Sequence, residues 1–292
     1  MYPSSLYCRL PGIPPREGHM PKHPDAPSNP SSEIHQRVSA QFGAAAAAYS
    51  TSLTHSDPDA LRSLVTLAHP KPEDLVLDIA TGAGHTALAL APHVRGVTAY
   101  DMTEPMLAET LRNAAARGLT NIATRQGTAE NLPFPDASFD IVTVRHAPHH
   151  YADVRRAICE MARVTKSGGR VIIVDSVSPD DDVLDSQWNH LERLRDPSHV
   201  RNYRPSEWRA FVAEAGLRIT FEELSFATEK SGPMDFSAWV RRMNTPPAVV
   251  EELTRLFQEA SPALAAALRI QLVDGALCFC VPHISIASVR NR

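Results

Sequence analysis

Cysteine is scarce in this sequence. Four occur among 292 residues, Cys8, Cys159, Cys278 and Cys280, with neither the density of a disulfide scaffold nor the paired spacing of a zinc site. A reducing compartment fits this usage, and no metal is expected. Cys278 and Cys280 alternate in an apolar run, which predicts two buried thiols on one face of a strand. Long apolar runs are also missing. No stretch reaches the roughly 18 residues of a spanning helix, and the N-terminus lacks the apolar segment of a signal peptide. The expectation is a cytoplasmic protein without membrane insertion. Basic charge is not in excess either: a formal charge of -4 and a pI near 6.3 give no general attraction to phosphate backbones, so nucleic acid is not an expected partner.

What is present is enough apolar residue, 43%, for one substantial core. Residues 1–32 carry eight prolines and few apolar side chains, and read as a disordered tail. Residues 33–292 read as one domain. Its first part, 33–70, holds an Ala-rich helix over Glu33 to Tyr49, interrupted near Phe42-Gly43, and a second helix introduced by Asp57-Pro58. From Asp74 to Asp175, short β-branched runs alternate with helical periods, as in a parallel sheet with crossover helices. Strands are predicted at Leu75–Ile79, Gly96–Tyr100, Ile122–Gln126, Ile141–Val144 and Arg170–Val174. Between the last two, Asp153 caps a helix whose apolar face is Val154, Ala157, Ile158, Met161 and Ala162, and Gly168-Gly169 turns the chain into the next strand. Two insertions follow, 180–216 and 233–268, separated by a strand over Leu217 to Phe226. The apolar run Leu277 to Val289 closes the pattern.

Strand, tight turn and helix meet at Val76-Leu77-Asp78-Ile79-Ala80-Thr81-Gly82-Ala83-Gly84, where glycine lets backbone approach a ligand. An adenosine-containing ligand suits such a turn. Gly82-Ala83-Gly84-His85-Thr86-Ala87 also matches the dinucleotide fingerprint, with Asp101 at the distance of a ribose-binding acid, so an NAD-dependent oxidoreductase stays open. Asp78 favours a different ligand. A carboxylate there repels a pyrophosphate at the helix N-terminus but suits the ammonium and sulfonium of S-adenosylmethionine. Asp101 is placed for both ribose hydroxyls in either reading.

The turn Leu77 to Gly84, the acid Asp101, the segment Gly127-Thr128-Ala129-Glu130-Asn131-Leu132-Pro133-Phe134 and Ser138-Phe139-Asp140-Ile141-Val142 together resemble the class I S-adenosylmethionine-dependent methyltransferases of the ubiquinone/menaquinone-biosynthesis (UbiE-like) type. The stretch Leu191 to Val200 is similar to a bacterial subgroup of UbiE-like proteins. The resemblance implies an α/β, Rossmann-like seven-stranded sheet of order 3-2-1-4-5-7-6 with the last strand antiparallel, and helical cap insertions. It implies S-adenosyl-L-methionine as cofactor, with its methionine part over Ala80, Gly82 and Gly84 and Asp78 nearby. Asp101 and Met102 would take the ribose and one adenine face, and Thr128 and Ala129 the adenine edge. Aspartate is common in that family where this chain has Thr128.

Methyl transfer is an in-line displacement in which the protein aligns, desolvates and, where needed, deprotonates the acceptor. Ligands of open parallel sheets bind beyond the strand C-termini, which singles out Arg145-His146-Ala147-Pro148-His149-His150-Tyr151. His149 and His150 are the candidate general bases, against a bland role in capping or packing. Arg145 and His146 are expected to line the cofactor pocket. Tyr49 matches the family's N-terminal aromatic lid, and the insertions are expected to cap a small-molecule methyl acceptor. The second insertion either completes that cap or makes a homodimer contact. A non-catalytic S-adenosylmethionine-binding protein is the other alternative, because fold does not guarantee turnover.

Overall fold

Strands form where the sequence is densest in Val, Ile and Leu. In the computed structural model, which describes residues 30–50, 56–226 and 232–291 apart from the side chains of 30, 44, 45 and 47–50, the first is β1 (Leu75–Ile79). β2 (Gly96–Asp101), β3 (Ile122–Gln126), β4 (Phe139–Arg145), β5 (Thr165–Ser176) and β6 (Leu217–Phe226) follow. β7 (Met234–Asp235), β8 (Gln271–Val273) and β9 (Ala276–Phe279) make a separate small sheet, and β10 (Pro282–Arg290) returns to the main one. The main sheet runs β3-β2-β1-β4-β5-β10-β6, with β10 antiparallel to both neighbours. Counting β10 as its seventh strand, this is the expected 3-2-1-4-5-7-6 order.

Helices cover both faces. α1 (Pro30–Ser50), α2 (Pro58–Ala68), α3 (His85–Leu90), α4 (Glu104–Ala116) and α5 (Val154–Val164) belong to the sheet, and α6 (Asp182–Arg195) and α7 (Pro205–Glu214) precede β6. α8 (Phe236–Arg242), α9 (Pro247–Gln258) and α10 (Pro262–Ala267) lie between β7 and β8. Side chains alternate along each strand, so Leu77, Val142 and Ile173 pack towards α5 and α7, while Val76, Ile141 and Ile172 pack towards α2 and α3. Asp57 caps α2 through the Asp59 amide at 2.9 Å, and Asp153 caps α5 through the Arg156 amide at 3.0 Å, as their sequence positions predict.

A third core lies in the insertions. Trp188 of α6 stacks on Trp239 of α8, and Phe236, Phe257 and Phe279 close around them. Burying one such Trp removes about 150–250 Å² of surface, roughly 4–6 kcal/mol on a transfer scale, which is ample to hold the two insertions together as one cap.

Three local expectations change. α1 is continuous through Phe42-Gly43, with no interruption. Gly168-Gly169 is not a turn before a strand but a bulge within β5, where the pairing jumps from Phe139 opposite Thr165 to Ile141 opposite Arg170. A Cβ on Gly169 would lie 2.8 Å from the Lys166 carbonyl oxygen, so glycine is required there. The run Leu277 to Val289 breaks across two sheets: Cys278 sits in β9, while Cys280 lies beyond its end and bonds the Leu268 carbonyl through its amide at 2.7 Å. Both thiols are buried as expected, but they do not share a strand face. Of the predicted tail, residues 30–32 join α1 and the rest lies outside the described residues, as does the side chain of Tyr49.

Candidate functional site

The glycine-rich turn leaves β1 at Ile79 and enters α3 at His85. Ala80, Gly82 and Gly84 all have positive φ, at 50°, 57° and 88°. For Ala80 that left-handed conformation costs roughly 1–2 kcal/mol, so the turn is held against a local preference. Asp78 holds it from beneath. Its Oδ2 accepts from the Thr81 hydroxyl at 2.6 Å and the Ala87 amide at 3.1 Å, and its Oδ1 accepts from Thr143 at 2.7 Å. Burial nevertheless pushes its carboxyl up to about 6, against the pull of these donors and of Arg145. The carboxylate is thus short of positive charge.

Asp101, at the end of β2, clasps the same turn. Its Oδ2 accepts from the Gly82 amide at 2.9 Å, and its Oδ1 accepts from the amide and hydroxyl of Thr103 at 2.9 and 2.8 Å. Burial raises its pKa despite these bonds. A carboxylate offers about four acceptor sites, and with a further backbone bond from Met102 all four are taken, so a ligand's donor must displace or share with one of these partners.

Around these residues lies a cavity of about 980 Å³, open at one side. Asp78, Ala80, Gly82, Asp101, Met102, Thr128, Ala129 and Arg145 all line it. Gly84 does not. A Cβ there would lie 2.7 Å from Thr110 Cγ2 of α4, so its bareness serves packing, whereas a Cβ on Gly82 would meet nothing within 4 Å. The acids on the lining are Asp78, Asp101 and Glu130, and Arg145 is its single Lys or Arg among the described residues. Burial lowers the pKa of Arg145 to about 10. The excess of carboxylate opposes a pyrophosphate and suits a cationic ligand.

The N-terminal helix on which the sequence placed a lid lines this cavity, among the described residues through other side chains than Tyr49. His35, Val38 and Phe42 of α1 line it, and His35 Nε2 reaches Glu130 Oε1 at 3.4 Å. Glu130 Oε1 also accepts from the Ala152 amide at 3.0 Å, tying α1 to the start of α5. Their spacing of three and four along α1 was the available signal; the lid expectation had been attached to Tyr49 instead.

A second cavity of about 680 Å³ adjoins the first, sharing Phe42, His146 and His150. His149 lines only the second, so the two candidate bases stand differently. His149 Nδ1 donates to Asp175 Oδ1 at 2.6 Å, and its backbone amide donates to Oδ2 at 2.9 Å. Burial pulls the His149 pKa down, but the fully buried Asp175 carboxylate outweighs it and the net shift is upward. His150 lies with its ring 4.1 Å from that of His149 and directs Nδ1 to the Ser198 carbonyl oxygen at 3.0 Å. Burial, then the neighbouring His149, push it down to about 4. Much of the remaining wall comes from the cap, with Glu192, Arg195 and Asp196 at the end of α6 and Trp239 and Arg242 on α8, and the main sheet adds His283 on β10. Sequence reasoning gave no role to Glu192 and Asp196, although both lie in the subgroup-like stretch Leu191 to Val200, and it missed Arg242, which no local motif marks.

Comparison with known proteins gives a consistent picture. Residues 77–173 match the model of a methyltransferase domain. The chain is 37% identical over 252 residues to the uncharacterized methyltransferase YcgJ of Bacillus subtilis, covering 86% of this chain and 98% of that protein. A demethylmenaquinone methyltransferase of Thermus thermophilus is 31% identical, over 56% of this chain and 84% of its own length. Among solved structures, YcgJ superposes with a TM-score of 0.74 at 38% identity, covering 80% of this chain and 99% of that one. A methyltransferase candidate from Bacillus halodurans superposes with a TM-score of 0.76 at 31% identity, covering 80% of this chain and all of that one.

Proposed function

The chain belongs to the S-adenosylmethionine-dependent class I methyltransferases, and we propose that it transfers a methyl group to a small-molecule acceptor, with the donor in the first cavity and the acceptor approaching from the second. The observation that carries this reading is the lining of the first cavity: a bare Gly82 cradle bordered by three carboxylates and one guanidinium. S-adenosylmethionine supplies, when bound, a methyl carbon on a positively charged sulfur, for which no metal or covalent intermediate is needed.

In this reading Asp78 supplies unspent negative charge to the donor's ammonium and sulfonium. Asp101 accepts from a ribose hydroxyl in exchange for one of its own donors, and Met102 and Ala129 offer apolar surface to adenine, with Thr128 at its edge. Gly84 keeps α3 close to α4 and acts on the cradle only through backbone. His35, Val38 and Phe42 cover the cavity and keep water from the reacting carbon. The second cavity brings the acceptor to the shared wall at His146 and His150. Deeper in the second cavity the Nδ1 hydrogen of His149 is committed to Asp175, which leaves Nε2 to take a proton. His150 is too weakly basic for that task at neutral pH, and its Nε2 is better suited to receive a hydrogen bond from the acceptor.

Calorimetric titration with S-adenosylhomocysteine and with reduced NAD separates the donor reading from an oxidoreductase: the first should bind and the second should not, and the reverse would sink the proposal. Single-turnover transfer of labelled methyl to an extract fraction then separates an enzyme from a protein that only binds the donor.

A further inference from the structure

Resting on the methyl-transfer reading above, we infer that the second cavity is an acceptor chamber built for an uncharged molecule bearing hydroxyl groups. The walls are rich in lone pairs. His149, His150 and His283 each commit Nδ1 to a local oxygen, of Asp175, Ser198 and Val281 respectively, the last at 2.9 Å. When neutral, each therefore has Nε2 as an acceptor, and all three line the chamber.

Two buried acids add to this. Asp196 is fully buried; its Oδ1 accepts from the amide and hydroxyl of Ser198 at 2.8 and 2.6 Å, while its Oδ2 has no hydrogen-bond partner. Glu192 Oε2 lies 3.0 Å from Arg195 Nη2 in an ion pair without an aligned hydrogen bond. A buried acceptor with no donor is costly, and a ligand that brings donors removes that cost.

Charge narrows the ligand further. Glu192 and Asp196 are balanced by Arg195 and Arg242, and His149 by Asp175. A carboxylate ligand would meet the two acids, and an ammonium the two guanidinium groups. A hydroxyl donates to the acids and accepts from the arginines, so it fits both signs. Trp239, Met234, Met243 and Val281 supply apolar wall for a ring or short chain, with the Arg195 guanidinium 4.7 Å over the Trp239 ring. In the reaction, the hydroxyl proton passes to His149 Nε2. The oxygen, or the carbon conjugated to it, forms the new bond to the methyl carbon, and the carbon–sulfur bond breaks with its electron pair left on sulfur. The positive charge moves from sulfur to His149.

Ligand-observed NMR on the protein saturated with S-adenosylhomocysteine tests this with three probes of one size: catechol, benzoate and benzylamine. Catechol should bind about tenfold or more tightly than either charged probe. Glu192→Gln should weaken catechol about tenfold while leaving S-adenosylhomocysteine affinity unchanged. Equal or tighter binding of benzoate or benzylamine overturns the inference, as does absence of catechol binding at millimolar concentration. Asp196→Asn repeats the test if Glu192→Gln loses S-adenosylhomocysteine affinity and so has lost its fold. Failure of the wild-type protein to bind S-adenosylhomocysteine overturns the donor reading, and this inference with it.

Discussion

The first cavity draws mostly on short stretches that leave the ends of strands, within 78–86, 100–103, 127–130 and 145–151, with His35, Val38 and Phe42 of α1 added from one helix. The second collects His149, Ser176, Glu192, Arg242 and His283 from five separate elements. Their electrostatics differ in the same way. Asp78 and Asp101 in the first are satisfied by the protein's own amides and hydroxyls. The second leaves Asp196 Oδ2 without a partner. A cavity whose acids are already bonded can serve one fixed ligand on a rigid turn; one with unmatched groups is completed by what enters it.

In the proposed function the first cavity binds the donor and the second transfers the proton, and the sharpest way to break that division is to cut them apart. Removing the ring in His149→Ala should slow methyl transfer by about 10²–10⁴-fold while S-adenosylhomocysteine affinity stays within a factor of about two. Stopped-flow turnover beside calorimetry reads both; undiminished turnover removes His149 from the mechanism. Asp101→Ala makes the opposite cut. It loses a charged acceptor and the clasp on Gly82, and donor affinity should fall about 30- to 100-fold. Unchanged affinity rejects the ribose role.

That contrast also explains what was legible in the sequence. The strands and the turn residues follow from β-branched runs and closely spaced glycines, which act through neighbours in the chain, while the sheet order came from the family resemblance. The pairing of His149 with Asp175 depends on parallel strands placing the ends of β4 and β5 side by side, where Arg145 stands opposite Val174. Both residues could be noticed, but not their bond. Glu192 and Arg242 depend on how α6 and α8 pack around Trp188 and Trp239, a tertiary fact with no local pattern. Gly84 shows the reverse failure, since it sits in the motif yet faces a helix.

A gentler test uses pH. Asp78 has a folded pKa near 6, above its ordinary 3.8, so the folded protein holds more protons than the unfolded chain between those values. Its contribution to stability therefore declines as pH rises through that window. A cationic donor favours the ionised form, so S-adenosylmethionine affinity should rise with pH towards 7 and be weaker by up to about tenfold at pH 5. Calorimetry at several pH values, repeated with Asp78→Asn, checks this: a profile that survives the substitution belongs to another group.

The smallest effects on binding should come from the two glycines that look alike in the motif. Both take positive φ, so alanine costs roughly 1–2 kcal/mol at either. Gly84→Ala adds a Cβ 2.7 Å from Thr110 Cγ2 and 2.9 Å from its hydroxyl, on a side chain whose Oγ1 is already bonded to the Gly82 carbonyl at 2.8 Å. Thr110 cannot turn away without breaking that bond, so a further 1–3 kcal/mol, roughly, of overpacking should appear as a lower Tm. Gly82→Ala meets no protein atom, so its Tm should fall less. Its Cβ belongs to a cavity wall, however, and should weaken S-adenosylhomocysteine binding severalfold more than Gly84→Ala does. Differential scanning calorimetry and binding titration on the pair should therefore rank them in opposite orders. One common ranking in both measurements would mean that the bare face of Gly82 is not where the donor lies.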